Sequence, residues 1–236
     1  MDWNFQERIV LERCRGVKGE IQLQRRGNEY EIIYNGVFLM ASYNGISERA
    51  LVSDALKMVN RGPGSHLGML MGGLGMGFSL QEALACKEVK RVVVAEIEPA
   101  VIRWNRDYLG KLNNGAVNDS RVEIVNIDFI ELIKEKAAAA SRDPARAFQV
   151  VMVDTDNGSS WLSIPSNDRL YREGGLNLIK KCLSPGGVAC FWSAKKEEDF
   201  EQRLRTCFHE VHFRRAEEKT GQESAYYLAC KDSCSS

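Results

Sequence analysis

The run Met71-Gly72-Gly73-Leu74-Gly75-Met76-Gly77 closes an apolar segment, Leu67 to Met71, that reads as a strand, and opens Phe78 to Cys86, which reads as a helix. A strand that turns through glycines into a helix is the first unit of a Rossmann-like sheet. The glycines let backbone approach a ligand closely, and the helix N-terminus aims unpaired N–H groups at it. The spacing is G-x-G-x-G at 73, 75 and 77, whereas a dinucleotide fingerprint needs its third glycine one position later, where Phe78 stands. A nicotinamide dinucleotide is therefore disfavoured. The next apolar run, Arg91 to Glu96, ends in a carboxylate at the spacing from which an acidic side chain accepts both hydroxyls of a ribose. Gly73, Gly75, Gly77 and Glu96 together describe a nucleoside pocket without a diphosphate, which suits S-adenosylmethionine or its decarboxylated form.

The rest of the chain continues the pattern. Apolar, β-branched runs at 67–71, 91–96, 122–126 and 148–154 alternate with segments of helical periodicity, which predicts a mostly parallel sheet with right-handed crossovers. Runs at 186–193, 210–216 and 224–231 follow, the last two separated only by a short polar loop, and predict an antiparallel edge. Ahead of the first unit, residues 8–13, 20–25, 29–34 and 37–42 read as a meander with turns at Gly27-Asn28 and Asn35-Gly36. Ser47 reads as the N-cap of a helix carrying Leu51, Ala55, Leu56 and Val59. The expected organisation is a small antiparallel sheet over 1–46 and an α/β domain with a seven-stranded sheet over 47–236. Four strands are too few to stand alone, so the meander is expected to pack on the main domain or on a second subunit, and a homodimer is the expected assembly.

Composition narrows the partners. Thirty-two basic and thirty-two acidic residues cancel, so no global field recruits nucleic acid or an anionic membrane. No apolar run approaches the roughly 20 residues that span a bilayer, and Met1 to Arg8 lacks a signal-peptide core, which reads as cytoplasmic. The seven cysteines contain no C-x-x-C pair and several sit in apolar runs, as reduced, buried thiols do. Cys207, His209 and His212 do not share a face of a strand, so no metal site is expected there. The remaining partner class is a small molecule.

Two aspartates stand where ligands of such sheets bind. Asp154 ends a parallel strand, beside the crevice, and either faces the ligand or caps the amides of its own loop. Asp128 has the same ambiguity, with an N-cap for Phe129 to Ile133 as the alternative. Glu98, followed by Pro99, reads as a helix-start residue. Trp161 and Tyr171 either wall a pocket for a cationic amine or pack in the core.

With these residues in view, the chain resembles the spermidine synthase (polyamine aminopropyltransferase) family, within the class I S-adenosylmethionine-dependent methyltransferase fold. Phe148 to Asn157 is similar to the family's strand and aspartate-rich gatekeeper loop, Glu96-Ile97-Glu98 to its ribose-binding element, and Ile127-Asp128 to its adenine-reading pair. Leu170-Tyr171 and Leu183 to Gly187 resemble the next helix and the turn into the fifth strand. The resemblance implies a transferase that moves an aminopropyl or methyl group from an S-adenosyl donor to an amine, with Gly73, Gly75, Gly77, Glu96, Ile97, Asp128 and Asp154 on the donor and Asp154 and Asp156 on the reacting amine.

Three departures concern the chemistry. The loop aspartate that selects the decarboxylated donor is replaced by Leu74, Gly75 or Met76, so intact S-adenosylmethionine becomes admissible. The second gatekeeper aspartate, the family's presumed base, falls on Asn157, with Asp156 beside it. The family's glutamine and its D-E-x-x-Y-H-E segment stand here as Met40 and Ser42 to Glu48, of which only Glu48 keeps its type. The rival expectation is a nucleoside-binding protein of the same fold without turnover.

Overall fold

The computed structural model describes residues 7–17, 19–59, 64–160, 162 and 165–233. Among these, β1 (Arg8–Gly16), β2 (Gly19–Arg26), β3 (Glu29–Tyr34) and β4 (Val37–Ala41) form an antiparallel sheet in the order β1-β2-β3-β4. The Asn35-Gly36 pair turns the chain with φ of 51° and 76°, the left-handed conformation that a two-residue hairpin of this type requires.

After α1 (Ile46–Met58) come β5 (Leu67–Gly72), α2 (Phe78–Ala85), β6 (Val89–Ala95), α3 (Pro99–Asp107), β7 (Val122–Val125), α4 (Phe129–Arg142) and β8 (Phe148–Val153). They are followed by α5 (Asp168–Tyr171), α6 (Glu173–Cys182), β9 (Leu183–Ser193), α7 (Glu198–Cys207), β10 (Glu210–Glu217) and β11 (Glu223–Cys230). The second sheet has the order β10-β11-β9-β8-β5-β6-β7. Strands β5 to β9 pair in parallel, while β11 runs antiparallel to both β9 and β10, so the antiparallel edge lies where expected. The strand order reverses between β5 and β8, and ligands of such sheets bind beyond the carboxyl ends of the strands at that point.

The parallel strands are mostly apolar because both faces are covered. Met69, Met71, Val92, Val94, Val150 and Met152 pack with the meander's Ile21, Leu23 and Ile32 and with α1. Leu70, Val93, Ala95, Val151 and Val153 face α4, α6 and α7. The period of two divides each strand between the two layers. Because Ile21, Leu23 and Ile32 are fully buried in the first cluster, the meander is seated on the main domain rather than standing beside it.

Several boundaries differ from the sequence reading. Helix α1 begins at Ile46 with Gly45 as N-cap, so Ser47 lies inside the first turn and caps nothing. Strand β9 starts at Leu183, because Leu183 pairs with Phe148 before a bulge that contains Gly186 and Gly187. Glu96 and Asp154 each stand one residue past their strands, which frees both side chains to face the crevice.

Candidate active site

A cavity of about 380 Å³ opens at the carboxyl ends of β5, β6 and β8 and is roofed by the meander strand β4. Gly73, Gly75, Glu96, Ile97, Asp128, Asp154 and Asp156 border it, together with Glu48, Asn157, Asn167 and Trp192. Gly77 does not. It caps α2 in the left-handed conformation, φ 82°, where a Cβ would press on Asn113 and Asn105. Backbone conformation and packing beneath the loop are enough to require glycine there.

The glycine loop is held from three sides. Gly73 N–H donates to Ala95 O at 2.9 Å, and Asp154 N–H donates to Gly72 O at 2.9 Å. Asn105, fully buried on α3, donates from Nδ2 to Gly75 O at 2.8 Å, and Asn113 donates to Asn105 Oδ1 at 2.7 Å. Neither asparagine stands out in the sequence, because the loop they support lies about 30 residues upstream.

Glu96 is 7% exposed, and its two oxygens accept N–H groups from Leu74 (2.9 Å) and Glu98 (2.8 Å). A carboxylate has about four lone-pair sites, more than these N–H groups fill. Burial pushes the Glu96 carboxyl up, against the pull of the backbone N–H groups of Glu98, Leu74 and Gly75. Asp128 caps α4, accepting from Ile130 N–H at 3.0 Å, and also borders the cavity. Glu98 is the N-cap residue of α3, ahead of Pro99 as the sequence suggests, and its carboxylate accepts from Val17 N–H at 2.8 Å and from Tyr34 Oη–H at 2.8 Å, fastening the meander to the start of α3.

Three carboxylates converge on the other half of the cavity. No hydrogen-bond donor among the described residues reaches the Asp154 side chain. Its carboxyl is held well above the usual carboxylate range by burial first, and then by the like charges of Glu48 and Asp156. Burial likewise raises Glu48, which accepts from Ser47 Oγ–H at 2.7 Å.

Asp156 is differently placed. Its Oδ2 accepts from Thr155 Oγ1 (2.9 Å), Asn167 Nδ2 (2.9 Å) and Tyr171 Oη (3.1 Å). Burial and the neighbouring Asp156 charge hold the Tyr171 phenol well above its ordinary value, so it remains a donor. Tyr171 is 2% exposed and meets Phe200 edge-on at 5.5 Å, so it packs in the core rather than walling the cavity. Trp161 lies outside the described residues, and the indole at the cavity wall is Trp192.

The loop after Asp156 is tied back by Glu197, which accepts from Ser159 N–H (2.9 Å), Ser159 Oγ–H (2.8 Å) and Ser193 Oγ–H (3.1 Å). Away from the site, Cys207 ends α7, His209 pairs with Asp232 and His212 with Glu210. Cys182, Cys190 and Cys207 are buried, and burial pushes the Cys182 thiol up to about 12.

Residues 68–220 match the family model described as the spermine/spermidine synthase domain. The chain belongs to this family. Among curated relatives, polyamine aminopropyltransferase 1 of Hyperthermus butylicus is 32% identical over 121 residues, which is 51% of this chain and 38% of that protein. The polyamine aminopropyltransferase of Escherichia fergusonii is 25% identical over 154 residues, 63% of this chain and 49% of that one. The matches thus span half or less of the relatives' length. The solved spermidine synthase in complex with the transition state analogue AdoDATO superposes with a TM-score of 0.74 at 17% identity, covering 95% of this chain and 73% of that chain. The spermidine synthase from Thermotoga maritima gives the same score and identity, with 74% of its chain covered. The family's methyltransferase-like α/β fold is therefore this chain's fold. Among the described residues, no helix is long and apolar enough to cross a membrane.

Proposed function

We propose that the chain transfers an aminopropyl group from decarboxylated S-adenosylmethionine to an amine. The observation that carries the reading is the Asp154 carboxylate, which borders the cavity without a donor among the described residues, has a raised affinity for protons, and lies between the glycine loop on one side and Glu48 on the other. Glu96 takes the ribose hydroxyls, Ile97 and Asp128 border the adenine, and Gly73 and Gly75 let the backbone lie against the donor. Asp154 accepts the proton of the reacting amine, and Glu48 holds the acceptor's second ammonium.

Asp154 first takes a proton from the acceptor's ammonium and so frees the attacking lone pair. The acceptor nitrogen attacks the propyl methylene carbon next to the sulfonium. The carbon–sulfur bond then breaks, its electron pair stays on sulfur, methylthioadenosine leaves, and the product nitrogen keeps its remaining protons as a secondary ammonium. An amine is mostly protonated at neutral pH, so a base whose own proton affinity has been raised toward that pH is well matched to the step. Asp156 serves instead as a fixed anion that shapes the loop, because three donors already occupy one of its oxygens. The same features speak against a binding-only protein: a decayed catalytic loop would have no reason to keep a desolvated carboxylate at the cavity.

The reading extends to assembly and place. The α/β unit over 47–236 carries the site and the 1–46 meander covers it. Val37, Phe38 and Leu39, exposed on the open edge strand β4, suit a homodimer contact, and free thiols, three of them buried among the described residues, suit the cytoplasm.

Methyl transfer from intact S-adenosylmethionine is the second reading, and a specific observation favours it. Leu74 and Met76 are buried, Gly75 faces the thioether of Met40, and the loop has no carboxylate to repel the carboxylate of the intact donor. Intact S-adenosylmethionine is therefore expected to bind within about tenfold of the decarboxylated form, a gap of ~1.4 kcal/mol at most. Calorimetric titration of both donors tests this, and a thousandfold preference for the decarboxylated form would place the selector elsewhere in the cavity. In the same experiment Glu96→Ala should weaken methylthioadenosine binding at least about tenfold, through loss of a charge-assisted acceptor for two hydroxyls. Equal affinity in wild type and variant would remove Glu96 from the donor site.

A further inference from the structure

The first turn of α1 is held from the far end of the chain. A helix start leaves N–H groups without intrahelical partners, and a local serine or aspartate usually satisfies them. Here the N-cap is Gly45, and the carboxylate of Glu218, at the tip of the β10–β11 hairpin, accepts from Gly45 N–H (3.0 Å), Ile46 N–H (3.0 Å) and Ser47 N–H (2.9 Å). Glu218 is 4% exposed. Burial raises its carboxyl, but the donors from residues 45–47 outweigh burial and hold it below its ordinary value, so it stays ionised. Thr220 of the same tip donates to Asn44 Oδ1 at 3.1 Å.

This fixed turn carries a side-chain relay into the cavity. Trp192 Nε1–H donates to Ser47 Oγ at 3.0 Å, and Ser47 Oγ–H donates to Glu48 Oε2 at 2.7 Å. Both Trp192 and Glu48 border the cavity, whereas Ser47 and Glu218 are buried behind it. Glu218 also raises the proton affinity of Glu48 by its like charge. The arrangement therefore sets one carboxylate in orientation with a second kept behind it, an electrostatic cost that a local serine cap would avoid. A cation bound at Glu48 offsets that cost.

We infer that the β10–β11 hairpin positions the acceptor pocket: Glu218, Ser47 and Trp192 hold the Glu48 carboxylate where it meets the non-reacting ammonium of a diamine. The inference rests on the acceptor reading above. Glu218 and Ser47 are positioning residues and touch no substrate. The test is calorimetric titration of 1,4-diaminobutane and of n-butylamine into protein saturated with 5′-methylthioadenosine.

The wild type should prefer the diamine by about tenfold or more. Glu218→Ala and Ser47→Ala should each lose most of that preference, with n-butylamine affinity changed by less than about threefold and methylthioadenosine affinity unchanged. Ser47→Ala leaves the Glu218 cap on the backbone intact and so separates the relay from the folding of the helix. Glu48→Gln should lose the preference as fully, and adding Glu218→Ala to it should cost nothing more, because both act through one contact. Retention of the preference in both positioning variants, with loss in Glu48→Gln, would overturn this inference alone. Equal weakening of diamine, monoamine and methylthioadenosine would also overturn it, by showing general loosening. A wild type that does not distinguish the two amines would overturn the acceptor reading itself.

Discussion

Asp154→Asn is expected to lower transfer turnover by roughly 10²–10⁴-fold, the usual worth of a positioned general base, and to leave the fold as stable as before or more so. The two effects have one cause. Burial and the charges of Glu48 and Asp156 raise the folded-state affinity of Asp154 for a proton. In the unfolded chain the same group titrates near ~4. Between that pH and the raised folded value the native state binds more protons than the unfolded state, so stability falls as pH rises through this window and stays lowered above it. An amide of the same shape carries no such penalty. The melting temperature of the variant should therefore equal or exceed that of the wild type at pH 8, and the difference should shrink as pH falls toward 4. Donor affinity should change little, because the donor's nucleoside is held at Glu96 and the glycine loop. Full activity in Asp154→Asn, or a marked loss of stability at alkaline pH, would contradict the assignment. Asp156→Asn should behave in the opposite way in melting, losing about 1–3 kcal/mol as three buried donors lose an anionic acceptor.

The other large effect is expected at Gly73. Its φ is +94°, and a Cβ built there would lie 2.2 Å from Asp154 O, a backbone atom that cannot swing away. Gly73→Ala must push the glycine loop away from the strand end that carries the base. Backbone strain of about 1–2 kcal/mol and overpacking of about 1–3 kcal/mol both apply. For a chain of this size, a loss of about 2–5 kcal/mol lowers the melting temperature by roughly 4–20 °C. Gly36→Ala is the control, since Gly36 has φ +76° with nothing within 4 Å of the added atom, and it reads the strain alone. Equal melting shifts for the two variants would mean that the loop and Asp154 are not in the contact described. A larger shift at Gly73 with weakened methylthioadenosine binding is the expected result.

What the sequence made legible follows from how local the signals are. The glycine loop, Glu96 and Asp154 could be read because each lies at a strand end, where the chain's own order of strand, turn and helix marks the crevice. The meander and the antiparallel edge were legible for a related reason, namely an Asn-Gly turn and a short polar loop between β-rich runs. Gly77 is ambiguous in the sequence, because a glycine required by Asn105 and Asn113 packing has the same signature as one required by a ligand. Asp156 reads as a catalyst, and Tyr171 as either a pocket wall or a core residue. Their engagement with each other and with Asn167 depends on how the loop folds back, which no spacing encodes.

Ser47 was misassigned as a cap because serine before a helical stripe is ordinarily one. Its displacement by Glu218, more than 170 residues away, appears only once the hairpin is in place. The family resemblance supplied the order of the elements and the donor class. The division of labour among Glu48, Asp154 and Asp156 needed the geometry.

The most direct test of the central claim is a single-turnover reaction in which excess protein is mixed with decarboxylated S-adenosylmethionine, or with S-adenosylmethionine, and a panel of di- and polyamines, with both nucleoside products resolved. The account predicts methylthioadenosine in equal amount with an amine extended by one aminopropyl unit, from the decarboxylated donor, and its loss in Asp154→Asn. S-adenosylhomocysteine as the sole nucleoside product would replace aminopropyl with methyl transfer. Absence of both products with every amine, while the donors still bind, would contradict the account.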